Sequence, residues 1–133
     1  MPLLPRKSLL AIAAVTDIAL RGPVSGKALT KNLRLTPRHL EPVLQALVRE
    51  GILKAVRGRG YVLAREQRRI TAYDILRAAR TVDNQGEEPV STSLVQAVDP
   101  ILARAENAFS DALSGISVEE LARSVVLKSR KRV

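Results

Sequence analysis

The sequence has 133 residues and a formal net charge of +9, and 46% of its residues are hydrophobic but only 2% are aromatic. This length fits one domain, or one domain with a helical appendage, and a core of Leu, Val, Ile and Ala suits packed helices. Because the chain has no cysteine and only one histidine, we expect no disulfide, no metal site, no cofactor and no enzymatic activity.

A first helix is predicted from Ser8 to Arg21, where apolar residues recur at a spacing of three and four. Its predicted buried face consists of Leu9, Ile12, Ala13, Thr16, Ala19 and Leu20. The apolar stretch 9–15 is too short to span a bilayer, and no small-residue cleavage site follows it. We therefore expect a cytoplasmic protein with no membrane association.

Two short helices joined by a tight turn are predicted next. Ser25 can cap the second helix, which extends to Leu33, and Thr36-Pro37 is a favourable start for a third helix ending near Arg49. The residues that the third helix is predicted to bury are Leu40, Val43, Leu44 and Leu47. Two helices in this order, the second with polar residues facing outward, are typical of a helix-turn-helix.

Two β-prone runs, residues 52–57 and 60–63, flank the pair Gly58-Arg59. Such runs around a short loop containing glycine predict a β-hairpin. Because the hairpin follows the helix-turn-helix directly, we interpret it as a wing. Residues 71–74 then resemble a capping box and predict a fourth helix over 72–81, followed by a loop over 82–92.

The fifth helix, predicted from Thr92 to Ser114, carries a heptad pattern on one face. The residues of this predicted dimerisation seam are Leu94, Val98, Ile101, Ala105, Ala108, Phe109 and Ala112. The alternative is that this face packs on the fourth and first helices of the same chain. Pro100 is expected to kink the helix. A capping box at 117–120 opens a short last helix ending near Val126, and a disordered basic tail is expected after it.

The charges are segregated along the chain. Residues 1–70 have 14 Lys and Arg against 4 Asp and Glu, residues 71–127 have 4 against 9, and the last six residues add four cations. A basic half of this kind is typical of polyanion binding, although a generally basic soluble protein is the alternative. We therefore expect the N-terminal half to bind double-stranded DNA.

The candidate DNA contacts lie at the helix starts and at the wing tip. They are Lys7, Ser25, Lys27, Thr36, Pro37, Arg38, His39, Glu41, Arg57 and Arg59. Lys31 is expected to contact phosphate together with Lys7 and Lys27. Early positions of a recognition helix reach base edges, and an arginine there can donate twice to guanine. Arg38 can instead be a solvated surface residue, His39 a phosphate contact, and Glu41 a partner of either cytosine or Arg38. Pro42 is expected to kink or tighten this turn.

Arg57 and Arg59 flank Gly58 at the wing tip. A narrow minor groove attracts an arginine that is presented on a tight loop, whereas the alternative is an ordinary charged hairpin tip.

The motifs of this sequence resemble those of the Rrf2 family of bacterial winged-helix regulators, which includes IscR and NsrR. The resemblance covers about residues 3–125 and is carried by the segments 35–44, 48–53, 57–64, 70–78 and 116–121. It implies a dimer whose long fifth helices pair antiparallel. It also implies recognition-helix contacts from Thr36, Arg38, His39 and Glu41, and entry of Arg59 into the minor groove.

Two departures from the family pattern bear on function. The wing is shorter than is usual in the family, and the loop that holds three cluster-binding cysteines in many members has none here. The iron–sulfur sensing of those members therefore cannot be carried over to this chain.

The predicted fold class is mainly α with a small β-hairpin wing, a winged helix-turn-helix followed by a long C-terminal dimerisation helix. The predicted organisation is a DNA-binding domain over 1–81, a loop over 82–92, dimerisation helices over 93–127 and a basic tail over 128–133. The predicted function is that of a homodimeric transcription regulator, a repressor, on a pseudo-palindromic operator.

Two other functions remain open from the residues. One is a regulator with a small-molecule effector, unidentified, in a pocket between the wing domain and the fifth helix lined by Tyr73, Leu76 and Leu102. The other is an RNA-binding or protein-adapter module, which the small number of aromatic residues disfavours.

Overall fold

The computed structural model describes residues 4–83 and 92–131. Its helices and strands are α1 (Arg6–Arg21), α2 (Gly26–Leu33), α3 (Pro37–Arg49), β1 (Leu53–Val56), β2 (Gly60–Leu63), α4 (Ala72–Asp83), α5 (Ser93–Ser114) and α6 (Val118–Lys131). A short 3-10 helix, Gln67–Arg69, lies between β2 and α4. The predicted fold class, mainly helical with one hairpin, is confirmed. None of the helices in these residues has an apolar stretch of the length that a bilayer requires.

The main core lies between α1, α2, α3 and α4. Leu29, Leu40, Leu44, Leu47 and Ile75 each expose 1% or less of their surface there. The four residues predicted to face inward on α3 are all buried, because their spacing of three and four places them on one side of the helix.

The predicted buried face of α1 is only partly correct. Thr16 is buried as predicted, and Ile12 and Ala19 pack partly buried against the core. Leu9 and Leu20 are 42% and 38% exposed, however. The residues that are buried but were not predicted to be are Ser8, Ala11, Ala14, Val15 and Ile18. Small alanine side chains let neighbouring helices approach closely, so the side of α1 with the smaller residues packs into the core.

α2 begins with the predicted cap and ends in a tight turn before α3. Ser25 caps α2, because its Oγ accepts a hydrogen bond from the Ala28 backbone N–H at 3.0 Å. Arg34 ends α2 in the left-handed conformation with φ 54°, and the Leu35 N–H donates to the Thr30 carbonyl at 2.9 Å. These contacts set the angle at which α3 leaves the turn.

The hairpin differs from the prediction in its loop. Val56 pairs with Gly60, so three residues, 57–59, connect the strands rather than the expected pair Gly58-Arg59. The Arg59 N–H donates to the Val56 carbonyl at 3.0 Å, and Gly58 has a φ of 78°. Gly60 has a φ of 107°, and this second positive φ allows the longer loop to rejoin the ladder.

The starts of α4 and α6 are joined by backbone hydrogen bonds. The Ala72 N–H donates to the Ile116 carbonyl and the Val118 N–H to the Ile70 carbonyl, both at 2.8 Å. The expected capping box of α4 forms between Thr71 and Asp74. α4 ends at Asp83, two residues beyond the predicted end, and the rest of the predicted loop, residues 84–91, lies outside the described residues.

α5 has the predicted length and continues through Pro100. α6 is longer than predicted, because it extends beyond Val126 to Lys131. Residues 128–131 are therefore helical rather than part of a disordered tail. Lysine and arginine are good helix formers, and cations in the last turn interact favourably with the helix dipole.

Candidate nucleic-acid interface

The first turns of α3 form an exposed row of polar residues above a buried apolar row. Arg38, His39 and Glu41 are exposed, whereas Leu40 and Val43 on the same helix are buried. Thr36, Pro37 and Pro42 are also exposed. The core contacts of α3 therefore orient its predicted base-reading residues toward solvent.

Pro42 lies inside α3 without ending the helix. A proline has no N–H to donate to the carbonyl four residues earlier, so the Arg38 carbonyl lacks its usual helical partner. Pro42 also lines a cleft together with Arg38 and His39, on the side of α3 that faces α1.

The cleft between α2 and α3, here called the α2–α3 cleft, has a volume of about 530 Å³. Three cations, Lys27, Lys31 and Arg34, line it. Pro37 and Glu41 of α3 also line it, as does Tyr61 of β2. The cleft therefore combines positive charge from α2 with residues from the start of α3.

A second cleft, here called the α1–α3 cleft, lies on the other side of the α3 N-terminus and has a volume of about 550 Å³. Four side chains with basic groups line it: Arg6, Lys7, Arg38 and His39. The two clefts share Leu35, which follows the turn. Positive charge therefore borders the start of α3 on both sides.

Thr36 precedes α3 with the extended backbone of an N-cap, but its side chain does not cap the helix. Its Oγ1 lies 2.6 Å from Nδ1 of His39. The capping bond that the Thr36-Pro37 motif predicts is therefore replaced by a bond between two candidate DNA-contacting side chains. The exposure of both residues leaves the pair accessible from solvent.

The wing is attached to the start of α2 through its second strand. Val24 and Tyr61 form an isolated antiparallel bridge, with N–H···O distances of 3.1 and 2.7 Å. A Cβ on Gly60 would lie 2.5 Å from the Val24 carbonyl carbon and oxygen, so only glycine permits this approach.

The wing tip carries Arg57 and Arg59, both exposed, and neither arginine lines either cleft. The predicted contacts therefore form two groups. One surrounds the start of α3, and the other lies at the wing tip.

Several predicted contacts lie together, and two cations were missed. Lys7 lines the α1–α3 cleft, and Lys27 lines the α2–α3 cleft beside the cap residue Ser25. Arg6 and Arg34 also line these clefts but were not among the predicted contacts. Their positions in the sequence were informative, since Arg6 adjoins Lys7 and Arg34 lies in the turn itself.

The predicted dimerisation seam is largely exposed in the single chain. Leu94 is 78% exposed, Ile101 67% and Val98 44%, and the three seam alanines are exposed as well. Phe109 is the exception, because it packs on α4 in a small cluster with Leu76 and Leu113. Intramolecular packing, the alternative for this helix, therefore applies to its C-terminal part.

The predicted effector pocket is not formed by its three residues. Leu76 is fully buried against Ala72 and Leu113, so it has no surface to offer a ligand. Leu102 is 57% exposed on α5. The close packing of α4 against the end of α5 fills the space that the prediction assigned to a small molecule.

Solved structures of other proteins are similar to this one, and three of them are described here. CymR (YrzC), the global cysteine regulator of B. subtilis, is 27% identical with a TM-score of 0.72, and the match covers 92% of this chain and 98% of CymR. IscR of T. potens is 26% identical with a TM-score of 0.72, covering 93% of this chain and 88% of IscR. The oxidised form of Staphylococcus aureus CymR shares the fold at 24% identity, with a TM-score of 0.69 over 92% of this chain and 96% of CymR.

No curated protein matches the sequence. A protein-family model does match it, however, over residues 4–124, and that family is described as "Rrf2: Iron-dependent Transcriptional regulator". The match spans the helix-turn-helix, the wing, α5 and the first half of α6. The chain therefore belongs to the Rrf2 family of transcriptional regulators.

Proposed function

We propose that this regulator is a sequence-specific DNA-binding protein that acts as a homodimer on a pseudo-palindromic operator, as a repressor and without an iron–sulfur cluster. The observation that carries the proposal is the exposed start of α3 between two clefts lined by cations. We assign it no catalytic activity and place its action in the cytoplasm.

The charge distribution around α3 suits a helix that enters the major groove. The groove is bordered by two phosphate backbones, and it is about 12 Å wide, which admits one helix. Lys27, Lys31 and Arg34 lie on one side of α3, and Arg6 and Lys7 on the other. Each group can neutralise one backbone while Arg38 and Glu41 face the base edges.

The wing supplies the second set of contacts. Arg57 and Arg59 are exposed on a three-residue loop whose base is held against α2 by Val24 and Tyr61. With α3 in the major groove, a hairpin attached beside α2 extends over the flanking backbone. Its arginines can then enter the adjacent minor groove, which attracts them most where A·T pairs make it narrow.

The face of α5 supports a second copy of this chain as the partner. Without Phe109, which packs within its own chain, the seam positions are spaced by four, three, four, three and four residues. This series of steps is the same when read in either direction along the helix. In an antiparallel pair, each large residue of the N-terminal half then faces an alanine. The pairs are Leu94 with the partner's Ala112, Val98 with the partner's Ala108 and Ile101 with the partner's Ala105.

This pairing places a large side chain opposite a small one at every position of the seam. Close packing of that kind lets two helices approach without voids or overlap. Leu102 lies at the centre of the helix beside the seam, where the two copies of this residue would meet across the two-fold axis. Its exposure of 57% in the single chain is accounted for by that contact.

Iron dependence, which the family description mentions, does not fit the residues of this chain. The sequence has no cysteine, and the part of the chain that the structure describes contains no cluster of three or more His, Cys, Asp or Glu side chains suited to a metal ion. The proposed mode of DNA binding therefore uses only protein side chains.

DNA binding is tested by selecting sites from a random duplex pool with the purified full chain. We expect a two-fold symmetric motif with half-sites one or two helical turns apart. Arg59→Ala should weaken binding most on sites with A·T-rich flanks, by about fivefold or more, since a good contact contributes about 1–3 kcal/mol. Arg123→Ala, a change to an exposed arginine paired with Glu119 on α6, is the matched control and should leave affinity unchanged.

Two outcomes would count against this account. Equal loss on all flanking sequences for Arg59→Ala would refute minor-groove reading. If the wild-type chain preferred no duplex over heparin or a random polymer, even in dilute salt, the whole proposal would fail.

Homodimer formation is tested by light scattering of the purified protein at micromolar concentration. We expect twice the mass of the chain, which is 14.5 kDa. A monomeric mass at that concentration would contradict the pairing of α5.

A further inference from the structure

We propose that Thr36 is a positioning residue that holds His39 in one tautomer, so that Nε2 of His39 is a hydrogen-bond donor toward DNA. The inference rests on the proposed function for its biological meaning. The bond between the two side chains, however, is a property of the protein alone.

The distance favours the hydroxyl as the donor. Thr36 Oγ1 and His39 Nδ1 are 2.6 Å apart. An N–H that donates to oxygen usually lies about 2.7–3.2 Å from it, so this separation is short for Nδ1–H donating to Oγ1. We therefore assign the Thr36 O–H as the donor and the lone pair of Nδ1 as the acceptor.

The place of the pair in the fold favours the same direction. His39 is the third residue of α3, whose N-terminal end carries the positive end of the helix dipole. That field stabilises a lone pair on the ring nitrogen nearest the helix end and disfavours an N–H there. A neutral imidazole has one protonated nitrogen, so the proton belongs on Nε2.

Thr36 Oγ1 accepts no capping hydrogen bond from the first turn of α3. Its side chain is instead turned toward His39. The side chain that a sequence motif assigns to helix capping is thus available to orient the neighbouring histidine.

The surroundings of His39 leave Nε2 for an external acceptor. Arg6, Lys7 and Arg38 line the same cleft, and within the described residues its lining includes no carboxylate. A hydrogen-bond donor beside three cations suits an electron-rich acceptor. Guanine N7 or O6, thymine O4 and a phosphate oxygen are such acceptors, whereas the amino groups of cytosine and adenine are not.

The test uses the fact that His39 is the only histidine of the chain. A long-range proton–nitrogen NMR spectrum of the histidine-labelled full chain, recorded in alkaline buffer, shows one imidazole without any assignment. We expect the Nε2 resonance in the protonated range and the Nδ1 resonance in the unprotonated range. Thr36→Val should move both toward a mixture of tautomers, and Thr36→Ser should restore the wild-type spectrum.

A protonated Nδ1, or a Thr36→Val spectrum like that of the wild type, would overturn the proposal. Because both residues are exposed, these variants should keep the wild-type melting temperature. This measurement contains no DNA, so it stands or fails independently of the proposed function.

A second experiment measures the affinity for DNA and the coupling between Thr36 and His39. Thr36→Val should weaken binding to the selected site by about two- to tenfold, the effect of one hydrogen bond, in the wild-type background. In the His39→Ala background the same change should have no effect, because the residue that Thr36 orients is gone. Equal losses in both backgrounds would mean that Thr36 contacts DNA by itself, and would overturn its positioning role.

Discussion

The winged domain and the N-terminal half of α5 contain the same kinds of large apolar side chains but in opposite environments. Leu40, Leu44 and Leu47 of α3 expose 1% or less of their surface. Leu94 and Ile101 of α5 expose 78% and 67%. Composition alone does not separate the two helices, since both have apolar residues at helical spacing.

The two helices differ in whether other elements of the same chain pack over their apolar face. α3 lies against α1, α2, α4 and β1, whereas α5 contacts α4 near its C-terminal end and extends beyond the core. Full burial of a Leu or Ile side chain contributes roughly 1.5–3 kcal/mol. The winged domain obtains this within one chain, and we infer that α5 obtains it from a second copy.

The largest expected effect is in the core of the winged domain. Leu47→Ala should lower the free energy of unfolding by about 2–5 kcal/mol, because it leaves a cavity at a fully buried site. Urea denaturation measures this loss, which should be the same at low and high protein concentration if the domain is complete in one chain. Val48→Ala is the matched control, since Val48 is 37% exposed, and it should cost less than about 1 kcal/mol. Similar losses for the two variants would contradict the assigned core.

The attachment of the wing gives the next effect. Gly60→Ala should destabilise the protein by about 3 kcal/mol, because it combines a positive φ with a Cβ that meets the Val24 backbone. Gly58→Ala shares the positive φ but meets nothing within 4 Å, so about 1 kcal/mol is expected.

Thermal unfolding of the two glycine variants separates close approach from backbone conformation. Gly60→Ala should also weaken DNA binding more than Gly58→Ala, since it detaches the base of the wing. Equal stability of the two variants would show that the Val24–Tyr61 bridge does not hold the wing.

The smallest effect is expected on α5 and should appear only in the dimer. Ala108→Leu adds volume where the partner's Val98 is proposed to pack, and overpacking costs about 1–3 kcal/mol. Asn107→Leu introduces the same leucine side chain at an exposed position of α5 outside the seam, and it is the control. Sedimentation at several concentrations should show weaker dimerisation for Ala108→Leu alone. If both variants dimerise like the wild type, the seam is not the interface.

Much of the N-terminal half was predictable because its structure depends on local chemistry. The limits of α3 follow from Thr36-Pro37 at its start and from the regular spacing of its leucines, which need no knowledge of the rest of the chain. The cap of α2 by Ser25 and the capping box at Thr71 are interactions between residues three apart. Local interactions of this kind can be predicted from a short segment of the sequence.

The predictions that were wrong concern features that depend on contacts between residues far apart in the sequence. The buried side of α1 depends on which neighbours pack against Ala11 and Ala14, and the three-residue wing loop depends on the approach of Gly60 to Val24. The effector pocket predicted at Leu76 is filled by Leu113, 37 positions later in the sequence.

By itself the sequence determined the helical fold with one hairpin, the limits of α3 and the concentration of positive charge in residues 1–70, because each depends on residue spacing and composition. The tertiary structure decided that cations from α1 and α2 border α3 on both sides, and that the Thr36 hydroxyl meets His39 instead of capping the helix. It also decided that Phe109 of α5 packs against α4 of the same chain, whereas Leu94 and Ile101 are exposed. The physical reason is that packing selects among surfaces that are equally acceptable to the local sequence.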